Sequence, residues 1–486
     1  MAEIDTTALP TRQTIPDWLN TNDNGDVKGI DTLKLSEAII KDSPVIGVPF
    51  NGSIRYYKYN GISWENLTEK SARAYIEREA LEKLKRYHAY NVKRMQDVSK
   101  TTLIQTISEH NPFEDQRTDI IAFKNGTYEI ETGNITPNKQ THYLVNGHDI
   151  EINKDGQAPN IEAWGGYLFG NSWQFIKELL GYAFIPEYKT FNTIAIIVDE
   201  MGGTGKSYFF DSIVFPLLGT KNIVAKDMDT IAGSNGKSAR FGLIGLFEKL
   251  SNIHLDLPDT RIEVPDTLRS LSGGDRIDVE AKNADALSLK FYALLLFGAN
   301  QTPNIAVNVA LSQRIKIVPV TAPRARERPQ EQAKRALLWD EKQAVKEVGA
   351  FAYSVLTAYQ QAKQRGKFST SDEIETATRE WLERQDLVTT FLKDVSREVD
   401  DVYTGGATIA QTWDLFQLWL QENGIHSKLQ RKQFNSRMEQ LGYTKVRTRS
   451  HQTAKPTDNP VWSWENLDLK PYFDDWMEIC ATKIGV

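Results

Sequence analysis

Apolar residues in the middle of the chain cluster into short runs that are typical of buried strands. The run NTIAIIV (Asn192–Val198) is unbroken and rich in β-branched residues, which favours a strand covered on both faces. Two later stretches, the second half of Leu243–Leu257 and the run Leu289–Asn300, predict further strands. Strand-like and helix-like stretches alternate from residue 192 to about residue 320, which predicts an α/β core over residues 166–325.

Different patterns precede this core. Arg55–Leu67 alternates aromatic and polar residues around an Asn-Gly pair, which predicts a hairpin, and Ser71–Met95 has the composition of an amphipathic helix. These elements predict a small α+β domain over residues 45–165. The polar residues 1–44 before it are expected to form a flexible arm.

Downstream of the core, residues 326–400 are predicted to be mostly helical. Residues 401–486 combine helices with the strand-like stretch Val461–Leu469. Several aromatic residues of this last segment recur at helical spacing, which favours burial in a core over base stacking. The residues expected to be buried in this way are Trp413, Phe416, Trp419, Trp462 and Trp464.

The 486 residues carry a formal net charge of −6, which argues against a protein that coats DNA with a uniformly basic surface. The charge is uneven, because residues 426–455 contain eight Lys and Arg but only one acid, Glu439. This segment predicts contacts with nucleic-acid phosphates, and the alternative is a solvated cationic face. The residues expected to make the contacts are Arg431, Lys432, Arg447 and Arg449.

The single cysteine, Cys480, excludes an intrachain disulfide and a Cys-rich zinc site. It fits a reducing compartment, and the first residues lack the apolar core of a secretory signal. No apolar run approaches the roughly 20 residues that span a bilayer. A cytoplasmic protein with no membrane segment is therefore expected.

The tripeptide Gly-Lys-Ser occurs twice, in EMGGTGKS (Glu200–Ser207) and in GSNGKS (Gly233–Ser238). A phosphate loop needs a buried strand before it and a helix after it, so that backbone N–H groups point at the phosphates. Only the first tripeptide follows a predicted strand, so it is the predicted phosphate loop and the second is a predicted solvated loop. Glu200 stands where a glycine is usual. The expected nucleotide contacts are Gly202, Gly203, Thr204, Gly205, Lys206 and Ser207.

Polar residues follow the later predicted strands at positions that suit nucleotide chemistry. Asp256 ends one apolar stretch and is the candidate acid beside Mg²⁺, and Asn300 ends the next and is a candidate sensor of the γ-phosphate. Arg314 precedes a further strand and is a candidate finger that reaches a neighbouring subunit. Between them, GGDRIDVEAKNADALSLK predicts a hairpin with Lys282 and Asn283 at its tip.

Taken in order, EMGGTGKS, EKLSNIHLD, SGGDRIDVEAKNADALSLK, LLLFGANQTP and SQRIKIVPV resemble a superfamily 3 helicase of the phage, plasmid and poxvirus-type primase-helicase branch. The stretch IIAFKNGTYEIETGNITPNKQTHYL resembles the domain that precedes the ATPase in that branch. The resemblance covers about residues 45–486 and implies an AAA+-like α/β ATPase core, an α+β N-terminal domain and a C-terminal winged-helix domain. No stretch suited to primer synthesis is evident, so the helicase part without a primase is expected.

The resemblance also implies roles for individual residues. Lys206 and Ser207 would bind Mg²⁺ and ATP, with Asp256 as the acid of the second motif. Lys282 would track DNA, and Asn283 stands where viral relatives have a histidine. Many relatives have two adjacent arginines at the finger position, but Gln313 precedes Arg314 here, so Arg269 remains a second candidate for the arginine that acts in trans.

Three functions remain open at this point. The first is a replicative DNA helicase of a phage, plasmid or mobile element, working as a ring, with a homo-hexamer expected, on single-stranded DNA in a bacterial cytoplasm. The second is a replication initiator that recognises and melts an origin in double-stranded DNA through the C-terminal domain. The third is a scaffold ATPase whose basic tail binds a protein. A separate primase or polymerase is an expected partner of the helicase.

Overall fold

The computed structural model describes residues 15–23, 26–50, 52–232, 243–257, 262–263, 266–280, 286–306, 309–324, 328–397, 407–422, 427, 429–448, 460–465 and 467–469. The chain divides into two compact units, Met1–Ala377 and Thr378–Val486. The boundary expected at residue 401 therefore falls inside the second unit. Within the described ranges, no helix combines the length and apolar character needed to cross a membrane.

The first unit begins with helices and small, mostly antiparallel sheets. Its strands are β1 (Leu19–Thr21), β2 (Val27–Ile30), β3 (Val45–Phe50), β4 (Ser53–Tyr59), β5 (Trp64–Leu67), β6 (Ile120–Phe123), β7 (Gly126–Glu129), β8 (Ile135–Thr136) and β9 (Gly147–His148). Its helices are α1 (Thr32–Asp42), α2 (Glu69–Arg86) and α3 (Val92–Gln105). The expected hairpin is confirmed, because β4 pairs antiparallel with β5 and Tyr59 lies opposite Trp64.

The expectation of a flexible arm over residues 1–44 is wrong for the part that contains β1, β2 and α1. Asp31 caps α1 by accepting hydrogen bonds from the N–H groups of Leu33 and Lys34. Leu35 and Ile39 are completely buried in a core shared with α2 and α3. The few apolar residues of this segment are diluted by polar ones, which hides the signal, although they fall on one face of a helix.

The single helix expected over Ser71–Met95 is two helices, α2 and α3. His88 adopts a left-handed backbone conformation with φ of 55°, and a right-handed α-helix cannot continue through such a residue. Asn91 then caps α3 by accepting hydrogen bonds from the N–H groups of Lys93 and Arg94. The short connection turns the chain so that α2 and α3 pack against each other.

The α/β core predicted from the apolar runs is present. The strands of this region are β10 (Ile194–Val198), β11 (Ile223–Val224), β12 (Ser251–His254), β13 (Ile262–Glu263), β14 (Arg276–Glu280), β15 (Ala286–Lys290), β16 (Leu294–Ala299), β17 (Ile305–Ala306) and β18 (Ile315–Pro319). Five of them form one sheet in the order β11-β12-β16-β10-β18. All neighbours in this sheet are parallel, so the carboxyl ends of the strands share one edge.

Helices surround and follow this sheet. They are α4 (Pro159–Phe169), α5 (Trp173–Tyr182), α6 (Lys206–Phe209), α7 (Phe215–Leu218), α8 (Met228–Ala232), α9 (Asp266–Gly273), α10 (Val309–Ser312), α11 (Pro329–Leu338), α12 (Glu341–Arg365) and α13 (Asp372–Gln385). A π-helical segment, Phe210–Val214, joins α6 to α7. Helix α5 packs closely on α12, where an added Cβ at Gly181 would lie 2.0 Å from the Val355 carbonyl oxygen.

The hairpin predicted after the second strand motif is confirmed. Strand β14 pairs antiparallel with β15, and Arg276 lies opposite Lys290 at the open end. Lys282 and Asn283, the expected tip residues, lie outside the described residues.

The second unit consists of helices followed by an antiparallel pair of strands. Its helices are α14 (Leu387–Val395), α15 (Ile409–Glu422) and α16 (Arg431–Gln440), and its strands are β19 (Ser396–Arg397), β20 (Lys445–Thr448), β21 (Val461–Trp464) and β22 (Asp468–Leu469). Strand β20 pairs with β21, and β19 pairs with β22. A recognition helix followed by a wing would have this order, although the winged-helix class itself stays a proposal.

Four of the five aromatic residues expected in the core of this unit are packed into it. Phe416, Trp419 and Trp464 are buried, and Trp413 packs against their cluster. The expectation for Trp462 is wrong, because this side chain is 56% exposed. Trp464, two residues further along β21 and on the same face, is fully buried, so the elements that cover this face reach Trp464 but not Trp462.

Candidate nucleotide site

The loop between β10 and α6 has the geometry of an anion-binding turn. All five residues of β10 are buried, and the loop leaves its carboxyl end. Gly202, Gly203 and Gly205 have φ of 61°, 67° and 109°, in the region that glycine adopts without steric cost. Lys206 opens α6 directly after them. The prediction that EMGGTGKS lies between a buried strand and a helix is confirmed.

Lys206 lies inside the site, only 4% exposed. Its ammonium group donates to the Ala299 carbonyl oxygen at 2.9 Å and lies 3.4 Å from the Asn300 Oδ1. Burial lowers the pKa of Lys206, while the Asp199 and Asp256 carboxylates oppose that shift. The fold therefore brings together Lys206, Asn300 and Asp256, which come from three different parts of the sequence.

Asp199 is a residue of this site that the sequence argument did not single out. It is 3% exposed, and its two carboxylate oxygens accept from the Gly202 N–H at 3.0 Å and the Thr204 hydroxyl at 2.7 Å. These bonds hold the loop in its curled form. The available signal was the position of Asp199 directly after the apolar run IIV, at the end of the strand.

Glu200 occupies the position where a glycine is usual, and the structure gives it a contact. Its Oε1 accepts a hydrogen bond from the Thr302 hydroxyl at 2.8 Å. Thr302 follows Asn300, so this bond joins the phosphate loop to the segment after β16. Since Glu200 is exposed, the bond contributes at most about 1 kcal/mol.

Two arginines downstream of β18 lie beside the loop, which the sequence did not predict. Arg335 on α11 donates to the Gly203 carbonyl oxygen at 3.3 Å and to the Pro323 carbonyl oxygen at 2.8 Å. Its guanidinium also lies 5.9 Å from the centre of the Trp164 ring. Arg324 is adjacent, because an added Cβ at Gly203 would lie 3.9 Å from the Arg324 Cγ. Both cations add positive potential where phosphates would bind.

Arg314 and Arg269 lie at the opposite edge of the sheet from this loop. Ile315 pairs with Ile194 at the start of β10, whereas the loop follows Val198, which pairs with Pro319. Four residues of strand separate the two ends by about 13 Å. Arg314 donates to the Arg269 carbonyl oxygen and, at 2.9 Å, to the Ser272 hydroxyl on α9. The two arginines thus lie together and away from their own loop.

The remaining candidate residues divide into described and undescribed ones. Arg431 and Lys432 are exposed in the first turn of α16, and Arg447 lies on β20 with its Nε donating to the Pro460 carbonyl oxygen at 3.3 Å. Arg449 lies outside the described residues, as do Lys282, Asn283 and the second Gly-Lys-Ser, residues 233–238. Helix α8, rather than a strand, precedes that second tripeptide.

The donor set at the loop fits Mg²⁺ and ATP. The loop and the start of α6 offer backbone N–H groups, and Lys206 offers an ammonium group for phosphate oxygens. Ser207 and Asp256 are exposed and offer the oxygen ligands that Mg²⁺ prefers.

Comparisons with known proteins agree with the motifs. Residues 49–170 match the family model described as D5 N terminal like, and residues 197–314 match that of a family of unknown function (DUF5906). No curated protein matches the chain. The resemblance to the primase-helicase branch of superfamily 3 is confirmed by the first of these matches, which covers the domain before the ATPase core.

Solved structures of low sequence identity are also similar. The apo structure of the NrS-1 C terminal region is 11% identical and covers 90% of this chain and 99% of its own, with a TM-score of 0.48. A second structure of that region, the A form, is 10% identical and covers 91% and 100%, with a TM-score of 0.45.

Proposed function

We propose that this chain is an ATP-dependent DNA helicase of superfamily 3 that hydrolyses ATP at the loop Glu200–Ser207. The observation that carries the proposal is the convergence of Lys206, Asn300 and Asp256 at the carboxyl edge of a parallel sheet, directly beside a glycine-rich loop. Structural lysines are seldom buried without a carboxylate at hydrogen-bond distance. Among the described residues Lys206 forms no ion pair at hydrogen-bond distance, and a bound phosphate would supply one.

Each residue then has a defined task. The loop N–H groups hold the β- and γ-phosphates, and Lys206 exchanges the Ala299 carbonyl oxygen for phosphate oxygens. Asn300 would interact with the γ-phosphate, and Ser207 and Asp256 would hold Mg²⁺. Mg²⁺ supplies neutralisation of the phosphate charge when it is bound. Asp199 keeps the loop curled before ATP arrives, so less ordering is needed on binding.

The far-edge arginines support a site that is shared between subunits. Arg314 cannot reach its own loop, because the length of β18 lies between them. In a ring, the same edge would face the loop of the next subunit, and an arginine there would stabilise charge that develops during phosphoryl transfer. We propose Arg314 as this finger and Arg269 as its neighbour in the same patch, in a homo-hexamer whose hairpins β14–β15 line the DNA channel.

The decisive measurement is ATP hydrolysis with and without single-stranded DNA, together with unwinding of a forked duplex. Wild type is expected to hydrolyse ATP faster with DNA. Lys206→Ala is expected to lose hydrolysis and unwinding by at least about 100-fold, because one well-placed charge in such a site contributes about 3 kcal/mol or more. Lys282→Ala is expected to lose unwinding far more than hydrolysis.

Lys342→Ala, which removes an exposed lysine in the first turn of α12, is the matched control and should behave as wild type. Hydrolysis that is indifferent to DNA would contradict the helicase and favour the scaffold ATPase. Unwinding by Lys282→Ala at the wild-type rate would contradict the proposal that the hairpin moves the DNA.

A replication initiator is the second candidate, and the exposed cations of the second unit favour it. Arg431, Lys432 and Arg447 belong to one helix and the strand that follows it, and all three are exposed. Phosphate contacts alone give no sequence preference. Binding of one duplex sequence at least about 1000-fold tighter than random duplex at raised salt would favour the initiator.

A further inference from the structure

The second unit contains a cavity of about 510 Å³ between helix α16 and the hairpin β20–β21. Three elements surround it: the start of α15, the outer face of α16, and both strands of the hairpin. Its lining residues are Thr408, Ile409, Ala410, Arg431, Asn435, Lys445, Val461 and Trp462. This volume lies within the range of roughly 300–1,000 Å³ found for small-ligand sites.

The cavity is flanked by an aromatic side chain that the core does not use. Trp462 is 56% exposed, although its neighbours Ser463 and Trp464 are completely buried. It lies directly opposite Arg447 in the hairpin. An indole that stays in water beside cations offers a flat face on which a base can stack.

The charge around the cavity is suited to a phosphate. Arg431 and Lys445 line it, and Lys432 and Arg447 belong to the same two elements. Glu439, the only acid in residues 426–455, forms an ion pair with Lys445, and Arg437 forms one with Asp386. Within the described residues, Arg431, Lys432 and Arg447 form no ion pair. Ile409 and Ala410, in the first turn of α15, line the same wall, and the Thr408 hydroxyl caps that turn by accepting a hydrogen bond from the Gln411 N–H.

Asn435 supplies a polar atom that lacks a partner in the described structure. It lines the cavity, and its Oδ1 is buried with no hydrogen bond among the described residues. Such an acceptor costs about 1–3 kcal/mol when it is left unpaired. The exocyclic amine or ring N–H of a nucleobase is a donor of the kind that would satisfy it.

We propose that this cavity binds one unpaired nucleotide of single-stranded DNA. The base stacks on Trp462 and donates to Asn435, and Arg431 and Arg447 contact the flanking phosphates. Duplex DNA fits the observations less well, because its base faces are already stacked and only its phosphates would engage. The site is independent of the nucleotide loop and would serve a helicase or an initiator alike.

The test is binding of the full-length protein, without ATP, to a fluorescent single-stranded 12-mer and to the matching blunt duplex. Trp462→Ala is expected to weaken single-strand binding about tenfold, since stacking of one base contributes about 1–3 kcal/mol. Trp462→Phe should retain most of the affinity, and duplex binding should change less than about twofold for either variant. Tyr90→Ala, which truncates an exposed aromatic outside this unit, is the control and should match wild type.

Equal losses on the single strand and the duplex, or a phenylalanine variant as weak as the alanine one, would overturn the proposal. If Trp462→Ala does not fold, Arg431→Gln tests the same cavity and should flatten the salt dependence by about one phosphate contact. An unchanged slope and affinity in Arg431→Gln would likewise overturn it. The binding test uses no ATP. A chain that proved inactive in ATP hydrolysis would therefore still test this proposal.

Discussion

At the scale of single residues, two adjacent acids of the phosphate loop have different surroundings. Asp199 is buried and accepts two hydrogen bonds from the loop, whereas Glu200 is exposed and accepts one from Thr302. Burial makes the Asp199 hydrogen bonds the more important ones for stability, because water can replace the partner of an exposed group such as Glu200 when its hydrogen bond is lost. Glu200 therefore makes a minor contact between the loop and the segment after β16, and Asp199 determines the shape of the loop.

Asp199→Asn should both weaken ATP binding and destabilise the fold. The amide oxygen can accept from the Gly202 N–H, but the Thr204 hydroxyl would then have to reverse its role and accept from the NH₂ group. Both bonds would lose the strength that the carboxylate charge gives them. We expect the loss of about 1–3 kcal/mol in the free energy of unfolding and a rise in the KM for ATP of about tenfold or more. Urea denaturation and steady-state hydrolysis measure the two quantities.

Glu200→Gln is the matched control, with less than about 1 kcal/mol of destabilisation expected because its carboxylate is exposed. Equal effects of the two substitutions would contradict the assigned role of Asp199.

At the scale of elements, helix α4 shows how packing decides whether a glycine is required. Its consecutive glycines, Gly165 and Gly166, have the same helical environment but different neighbours. An added Cβ at Gly165 would lie 2.3 Å from the Trp173 ring on the neighbouring helix α5, whereas one at Gly166 would meet no atom within 4 Å. Only the first glycine is required for the approach of the two helices.

The two alanine substitutions should therefore change stability in opposite directions. Gly165→Ala forces the Trp173 ring or the helix to move, so we expect about 1–3 kcal/mol of destabilisation. Gly166→Ala removes backbone freedom from the unfolded chain without a clash, so we expect about 0.5–1 kcal/mol of stabilisation. Thermal or urea unfolding of the two variants side by side measures the difference. A shift of the same sign in both would show that α4 and α5 do not pack as described.

At the scale of the whole molecule, a buried histidine makes stability depend on pH. His148 lies 4.5 Å from the ring centre of Phe184 and 5.4 Å from that of Phe123. Burial, together with the nearby Lys221 cation and against an opposing contribution from the Leu217 and Leu218 backbone, lowers the pKa of His148 to about 3. The unfolded chain therefore binds a proton that the folded one excludes.

Stability should fall as the pH falls from about 6.5 toward 3. The contribution of His148 to the free energy of unfolding is complete above the unfolded pKa of about 6.5 and decreases below it. At pH 5 the free energy of unfolding is expected to be about 2 kcal/mol lower than at neutral pH. Urea unfolding at pH 7 and at pH 5 measures this change. His148→Phe, which keeps an aromatic ring, should show a smaller difference between the two values, and an undiminished difference would contradict the assignment.

The proposed assembly makes a second prediction at this scale. Lys206→Ala lacks a working loop but keeps Arg314, and Arg314→Ala has the converse defect. If the finger acts in trans, each variant alone should lose at least about 100-fold in hydrolysis, and a mixture should regain activity at sites that combine one good loop with one good finger. A mixture as inactive as its components would place the whole site within one subunit.

The features that the sequence predicts correctly have local signals. The strand, the loop and the start of the helix around Lys206 follow one another directly, so apolar runs and glycines sufficed. Asp199 had such a local signal and was still missed. Arg335 had none, because 132 residues separate it from the Gly203 that it contacts.

The sequence by itself determined the element types of the core, the choice of phosphate loop and the family resemblance, because strand burial and backbone freedom depend on residues close in the chain. Only the tertiary structure decided which distant groups meet. It placed Asn300 and Asp256 near Lys206 and put Arg314 at the far edge, since strand order is set by the packing of the whole sheet. It also left Trp462 exposed although Trp464, on the same face of β21, is buried, because the pattern of a strand does not tell how far along it another element will reach.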